Sequence, residues 1–290
     1  MKKIIALAVA SAFAVPAFAA DVSVSGDVEY MYVDQDSGSA FNSGDQDVVV
    51  SASEDLGNGL SVSASLEIDG DSDDAAAAGM SSDSSLTISG DGFSVQIGDA
   101  TDTAVEAFDE VSDMAEQGGT SGDSGVATEH SVLLQVMPAD NVTLAISTGT
   151  EDDSLTATSV VVNSYAVQFG VMGATIAYGI ADAEDEAKDL STLSISYAAG
   201  PVSIGYESIS NVGYVDQDDQ TNLGIAYGYG MGNLFVESGE LKDESAGTKT
   251  ETTAVGASYA MGAVNLYALR NSVKTTSTDH QTMVGVEYAF

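Results

Sequence analysis

Apolar and polar residues alternate strictly along many short stretches of this chain. In LSVSASLEID, residues 60–69, every even position is apolar and every odd position is polar. Successive side chains of a β-strand point to opposite faces, so each such stretch predicts a strand with one apolar face and one polar, often acidic, face. The pattern fits a soluble sandwich with the apolar face inside, or a membrane barrel with that face outside.

The alternation recurs often enough to predict an all-β chain of sixteen antiparallel strands. Tight turns such as LGNG, residues 56–59, alternate with long acidic connections such as DQDSGSAFNSGDQD, residues 34–47. The region 159–181 is too long for one strand, and we divide it at Gln168–Gly173; undivided, it leaves fourteen strands. An even strand number with long loops at one end and short turns at the other is typical of an outer-membrane barrel.

The placement of aromatic residues favours the membrane barrel over the sandwich. One set is expected beside the short turns or at the C-terminus and a second set toward the long loops. The first comprises Tyr197, Tyr229, Tyr259, Tyr288 and Phe290, and the second Tyr32, Tyr178, Tyr206 and Tyr267. Two aromatic bands at the strand ends indicate the two membrane interfaces. The fold class predicted is therefore a transmembrane antiparallel β-barrel.

The first 20 residues predict a signal peptide, and residues 21–290 predict a single barrel domain. Lys2 and Lys3 precede an apolar stretch, and Ala17-Phe18-Ala19 gives a cleavage pattern of small residues. The sequence has 45 acidic and 7 basic residues, a net charge of −38, which becomes −40 when Lys2 and Lys3 are removed. Such a charge disfavours nucleic acid and favours cations. The lack of cysteine excludes disulfides and thiolate sites.

Three motifs resemble those of the Gram-negative general diffusion porins. SEDLGNGL, residues 53–60, is similar to their first periplasmic hairpin, and GFSVQIGD, residues 92–99, to the strand that leads into their constriction loop. VGVEYAF, residues 284–290, resembles their last strand. The resemblance implies a homotrimer of sixteen-stranded, water-filled barrels among the lipids of a Gram-negative outer membrane. It also implies that Tyr288 and Phe290 belong to the signal read by the barrel-assembly machinery.

The sequence departs from this family at positions where members often carry Lys or Arg. Ser61 and Val62, Asp99 and Glu287 stand at such positions, and Arg270 is the only arginine of the chain. In many members, wall arginines face acidic residues of loop three and set a transverse field across the pore. That field cannot be built here in the usual way.

The longest connection, from Asp99 to about Glu129, matches the constriction loop of the family. Thr103 and Glu106 fit a capping box, and Gly118 fits a helix stop, so we expect a short helix with its apolar side on the wall and its acidic side at the pore. The expected constriction residues are Asp99, Asp102, Glu106, Asp109, Glu110, Asp113 and Glu116. A solvated loop helix without a role in the pore is the alternative.

The polar strand faces predict a lumen lined by carboxylates. The expected wall residues are Asp27, Glu29, Glu67, Asp69, Glu207, Glu237 and Glu287. With no basic residue among them, a cation-preferring channel for passive diffusion of small hydrophilic solutes and ions is predicted. The alternatives are a plugged or structural barrel, such as an adhesin with acidic, divalent-binding loops, and a substrate-specific channel. Acidity that reflects adaptation to a salty medium is compatible with each of them.

No cofactor, specific metal site or catalytic activity is expected. Asp69, Asp71 and Asp73 begin like a calcium loop, but Asp74 stands where a glycine is needed and no glutamate closes the loop. Weak, diffuse binding of Ca²⁺ or Mg²⁺ by acidic loops is expected instead. His130 and His280 have acidic neighbours but no accompanying nucleophile motif, which argues against a hydrolase.

Overall fold

The computed structural model describes residues 21–44, 46–70, 81–99, 101–109, 130–153, 158–183, 189–212, 219–243, 247–275 and 278–290. Within these ranges the chain forms sixteen strands and one short helix, α1, at Glu106–Asp109. The strands are β1 Asp21–Gln35, β2 Gly38–Ser43 continued by Asp47–Gly57, β3 Leu60–Asp69, β4 Ser81–Gly90, β5 Phe93–Gly98, β6 His130–Ala139, β7 Val142–Asp153, β8 Thr158–Val171, β9 Ala174–Ala183, β10 Leu190–Ala199, β11 Val202–Ser210, β12 Asp219–Gly228, β13 Asn233–Asp243, β14 Thr248–Met261, β15 Val264–Lys274 and β16 Thr278–Ala289.

The sheet closes on itself. Each strand pairs antiparallel with the next along the chain, and β1 pairs with β16 from Asp27–Ala289 to Gln35–Gln281. Closure gives every strand a partner on both sides, which a sheet in lipid requires because no water is available to its backbone. The predicted sixteen-stranded transmembrane barrel is confirmed. No helix in the described ranges is long and apolar enough to span a membrane.

Strand β2 has two segments that follow one another along the same edge of β1. Gly38–Ser43 pairs with the second half of β1, and Asp47–Gly57 pairs with its first half. The predicted long acidic loop over 34–47 is therefore wrong over most of its length. Its serine- and glycine-rich stretch has no apolar alternation of its own, and pairing with β1 orders it; Phe41 stacks on Tyr30 with 6.0 Å between ring centroids.

Residues with positive φ close two of the tight turns between strands. Asn58 and Gly59, between β2 and β3, have φ of 56° and 77°. Met172 and Gly173, between β8 and β9, have φ of 52° and 84°. Two successive residues in the left-handed region match the twist of a two-residue hairpin. The division of the region 159–181 is thereby confirmed, with the turn at 172–173.

Exposure follows the alternation of the sequence with its apolar side outward. Leu234 and Val236 on β13 are about half exposed, whereas Phe235 and Glu237 are buried. Leu66 on β3 is likewise 42% exposed. A sheet that exposes its apolar face and encloses its polar face is built for lipid outside and water inside.

Tyr267 is an exception to the predicted aromatic bands. It is buried, at 5% exposure, because its ring covers Gly285, its cross-strand partner on β16. Phe235 covers Gly256 of β14 in the same way. The assignment of Tyr267 to the outward band was wrong, because Tyr267 has the opposite parity to the lipid-facing Leu266. A ring laid over a cross-strand glycine fixes the register and shields exposed backbone.

A pair of adjacent substitutions on β3 tests the facing of the barrel. Leu66→Lys places a charge against lipid toward the middle of a spanning strand, and should destabilise the barrel by roughly 2–4 kcal/mol if it lies near the bilayer midplane. Ser65→Lys points to the inner face, where Ser65 pairs with Ser51 and Ser85, and should cost little. Denaturant unfolding in lipid bilayers measures both, and equal losses would show that the facing is wrong.

Candidate functional site: the lumen and the loop-three root

The chain turns back into the barrel after β5. Residues 101–109, here called the loop-three root, pack against the inner face of the wall. Val105 is fully buried in one apolar cluster, whose other members are Val162, Ala181, Ala183, Leu190 and Ile209. Ala104 and Phe108 belong to a second cluster, with Leu133, Ala145, Ala166 and Ala177. The alanines on β7, β8 and β9 leave room for the root to lie close to the wall.

Buried hydrogen bonds also hold the loop-three root. The backbone N–H of Ala104 donates to the hydroxyls of Ser147, at 2.9 Å, and Ser164, at 2.8 Å. These two hydroxyls lie 2.6 Å apart. The hydroxyl of Ser131 donates to the carbonyl oxygen of Thr101 at 2.6 Å. Buried backbone N–H and C=O groups are costly without a partner. Ser147 and Ser164 satisfy the Ala104 N–H and Ser131 satisfies the Thr101 carbonyl, so the three serines fix the path of the root across β6, β7 and β8.

The predicted capping box is present at the start of α1. The Glu106 N–H donates to Thr103 Oγ1 at 3.2 Å, and the Thr103 N–H donates to Glu106 Oε2 at 2.8 Å. Two helix-terminal donors are thereby satisfied reciprocally. The rest of the predicted helix, as far as Gly118, lies outside the described residues.

Of the seven predicted constriction residues, the structure describes the side chains of Asp99, Asp102 and Glu106. Asp102 reaches the surface of the loop-three root, and the protein atoms around its carboxyl desolvate the charged form and raise its pKa. Its charge is therefore lost at a higher pH than that of a free aspartate. Asp99 instead accepts a hydrogen bond from Ser84, which pairs with the lipid-facing Leu66, so this carboxylate is directed to the outer side. Asp109 ends α1 but its side chain is not described, and Glu110, Asp113 and Glu116 lie outside the described residues.

Carboxylates stand in directly opposed pairs along one arc of the inner wall, from β16 through β1 to β4. Cross-strand register places Glu29 opposite Glu287, Asp47 opposite Asp69 and Glu67 opposite Asp83. Opposed residues have Cβ atoms about 4.5–5.5 Å apart, and like charges in such pairs repel. Asp27 shares the inner face of β1 with Glu29. This arc therefore carries a concentrated negative potential.

Two further carboxylates lie on the wall between β11 and β13. Glu207 is fully buried and accepts hydrogen bonds from Ser194, at 3.3 Å, and from Asn222 Nδ2, at 3.1 Å. Glu237 is 3% exposed on the inner face of β13. Ser194 and Asn222 come from the two strands beside β11, so the sheet register itself holds the Glu207 carboxylate.

A cavity of about 880 Å³ opens at the short-turn end of the lumen. Asp27, Asp47 and Glu287 line it together with Asn233 and Asn265, and the Asn265 amide donates to Glu287 at 3.4 Å. Within the described part of the chain, no group of three or more His, Asp or Glu side chains is arranged to hold a metal ion. The carboxylates give this part of the lumen a negative lining.

The basic residues of the described ranges all lie on the outer face. Arg270 pairs with Val255, which is 48% exposed among the lipid-facing residues. Lys274 lies opposite Glu251, and Lys249 lies opposite Lys242, near the loop ends of β13, β14 and β15. All four side chains have outward parity. Every described lysine and arginine therefore lies outside, whereas the described charged residues of the inner wall are all carboxylates.

Sequence reasoning missed the residues that seat the loop. Ser131, Ser147 and Ser164 have the parity of ordinary lumen residues, and serines of this parity occur on many of the strands. Their partners are backbone groups of the loop-three root, and no sequence pattern marks such partners. Only the fold brings the three hydroxyls and the root together.

Known proteins with the same barrel architecture are found by both sequence and structure comparison. A family model described as Gram-negative porin matches residues 6–290. A mutant of the Rhodobacter blastica porin superposes with a TM-score of 0.73 and 16% identity, covering 93% of this chain and 100% of that one. A Vibrio cholerae outer membrane protein, OmpT lacking loop L8, superposes with a TM-score of 0.73 and 13% identity over 94% and 100% of the two chains. No curated protein matches significantly.

Proposed function

Since the chain belongs to the Gram-negative porin family and forms an outer-membrane diffusion channel, we propose that this channel prefers cations and passes small hydrophilic solutes and ions passively. The family and its fold are those of non-enzymatic channels. The proposal concerns whether the channel admits cations in preference to anions.

The observation that carries the proposal is that the described inner wall bears carboxylates and no lysine or arginine. The inner wall bears three opposed carboxylate pairs, and the described lysines and arginine face outward. A pore lined by carboxylates concentrates cations and repels anions, because the low-dielectric wall focuses the field of these charges into the water-filled bore. Glu106 and Asp102 add negative charge at the root of loop three. Cations in the lumen in turn offset the repulsion within each carboxylate pair.

A second proposal concerns assembly, and it rests on membership of the porin family. We propose that three copies associate in the outer membrane, in contact with its lipids, and that Tyr288 and Phe290 form part of the signal for the barrel-assembly machinery. Weak Ca²⁺ or Mg²⁺ binding is proposed only for the acidic lining and loops.

Zero-current potentials across a KCl gradient test the selectivity. We expect strong cation preference at low salt that fades as salt rises, since the Debye length is only about 10 Å at 0.1 M. Neutralising the wall in Glu29→Gln, Glu67→Gln and Glu287→Gln together should reduce the preference. Neutralising the loop in Glu106→Gln, Asp109→Asn, Glu110→Gln and Asp113→Asn should also reduce it without abolishing it; Gln keeps the capping box.

The control is Glu54→Gln, which removes a carboxylate of outward parity on β2 and should leave selectivity unchanged. If only the wall variant loses cation preference, the selectivity is determined by the wall and not by loop three. An unselective or anion-preferring channel at low salt would refute the proposal. Liposome swelling with neutral sugars addresses the alternative of a plugged barrel, which would give no swelling.

A further inference from the structure

A second cavity opens on the inner face of the barrel, at the loop ends of β1, β15 and β16. Its volume is about 430 Å³, which lies within the usual range of small-molecule sites, about 300–1,000 Å³. Its lining includes Gln35, Asp36, Asn271, Val273, Asp279 and Gln281. Because β1 and β16 meet here, closure of the barrel builds this cavity from both ends of the chain.

Three amide side chains form a row along the wall of this cavity. Cross-strand register places Gln281 opposite Gln35 on one side and opposite Asn271 on the other. Gln35 has the parity of the buried Val33, and Asn271 has that of the buried Leu269, so the row faces the lumen. Neighbours in such a row have Cβ atoms about 4.5–5.5 Å apart. The three amides are therefore close enough to contact one small solute together.

Two carboxylates and a hydroxyl complete the polar lining. Asp279 shares the inner face of β16, and Asp36 stands in the turn after β1, where its Oδ2 accepts a hydrogen bond of 2.9 Å from the His280 backbone N–H. The Ser37 hydroxyl donates to Gln35 Oε1 at 3.4 Å. These contacts tie the turn to β16 and orient the outermost amide, so the cavity is preformed.

The chemistry of this lining discriminates between classes of solute. No described lysine or arginine lines the cavity, so an anion finds no ion pair in it. A bare cation uses oxygen acceptors only, and the N–H groups of three amides offer it nothing. A neutral solute with adjacent hydroxyls uses both kinds of group, because each amide presents donors and an acceptor side by side and each hydroxyl both donates and accepts.

We propose that this cavity is a weak binding site for neutral polyhydroxylated solutes, the sugar class, at the loop-side entrance of the lumen. The inference rests on the proposed passage of small hydrophilic solutes and names the class that is held at the entrance. The amides of Gln35, Gln281 and Asn271 exchange hydrogen bonds with ring hydroxyls. Asp279 accepts from a further hydroxyl, and Val273, 41% exposed, contacts a C–H face of the ring. Hydrogen bonds to water are exchanged for hydrogen bonds to the solute, so binding is weak and the solute still leaves toward the lumen.

Saturation-transfer NMR of the purified full chain tests this site, in a detergent without a sugar head group. The probe is methyl β-glucopyranoside, and the comparison is tetraethylene glycol, which has ether acceptors but hydroxyls only at its two ends. We expect preferential, saturable transfer to the glucoside that persists at high salt. Gln35→Leu, Asn271→Leu and Gln281→Leu together should raise its dissociation constant roughly tenfold, because three hydrogen-bonding groups are lost.

Gln135→Leu is the matched control, because it removes an inner-face amide on β6 that lies outside the cavity, and it should leave the glucoside signal unchanged. Equal transfer to the two probes, or an unchanged glucoside signal in the triple variant, would overturn the proposal. Single Gln281→Leu, at the centre of the row, provides a milder variant if the triple one folds poorly. All these substitutions are neutral and binding is measured without current. An anion-preferring or plugged barrel would therefore refute the proposed channel function while leaving this result intact.

Discussion

Replacing Val105 by aspartate is expected to release the loop-three root from the wall while the sixteen-stranded barrel stays folded. Val105 is fully buried, and burial of a valine side chain stabilises by about 1.5–3 kcal/mol, with a further penalty for a desolvated carboxylate. At about 1.4 kcal/mol per factor of ten, the loss of valine burial alone should raise the released population roughly tenfold to hundredfold, and the carboxylate penalty should raise it further. The strands are held by their own ladders and do not depend on this contact.

The absence of cysteine from the chain allows a direct measurement of this release. A thiol at Ala104→Cys, which is buried at the root, should react slowly with a maleimide and much faster when Val105→Asp is added. Val105→Thr is the matched control, because it preserves the shape without adding a full charge. Labelling at the same rate in all three backgrounds would mean that the apolar contact does not hold the root. Single-channel recordings should show added open-channel noise in the aspartate variant alone.

Deletion of Phe290 is expected to lower the yield of assembled barrel severely. Phe290 exchanges two backbone hydrogen bonds with Gly26, at 2.8 and 3.1 Å, and its ring covers that glycine where β16 meets β1. The ring also stacks on Tyr288 with 6.2 Å between centroids. The deletion removes both the last pairing across the barrel closure and the exposed terminal aromatic ring.

Two substitutions separate these contributions. Phe290→Ala keeps the backbone pairing and loses the ring, whereas Phe290→Tyr keeps both. If the ring is the assembly signal, outer-membrane yield should fall for alanine and stay near wild type for tyrosine, and the conductance of the assembled fraction should not change. Normal yield from the alanine variant would assign the effect of the deletion to strand pairing. Normal yield from the deletion itself would contradict both explanations.

The alternation of the sequence predicted the barrel well because each strand face meets a different solvent. Leu66 and Ser65 differ in environment for this reason alone, and Asn58-Gly59 marks its turn through backbone conformation, which is local information. The stretch 38–43 escaped prediction because its order depends on pairing with β1. Tyr267 was misplaced because it was assigned by its position along the strand, whereas its parity and a glycine on the next strand place it inside.

In the candidate site, too, local features could be predicted from the sequence and long-range contacts could not. Thr103 and Glu106 are three residues apart, so their capping box could be predicted from the sequence. The carboxylate pair of Glu29 and Glu287 joins the two ends of the chain, and only closure of the barrel brings them together. Ser147 and Ser164 contact a loop more than forty residues earlier in the chain. Local patterns predict the chemistry of each face, whereas register decides which groups on that face meet.

The glycines beneath Tyr267 and Phe235 also affect the width of the water path. Each ring lies in the space that a side chain on the next strand would fill, so an aromatic residue on the inner face takes its volume from the wall rather than from the bore. A methyl group at Gly285 would clash with the Tyr267 ring and would push it toward the axis. Gly285 and Gly256 therefore keep these two rings out of the water path without projecting into it themselves.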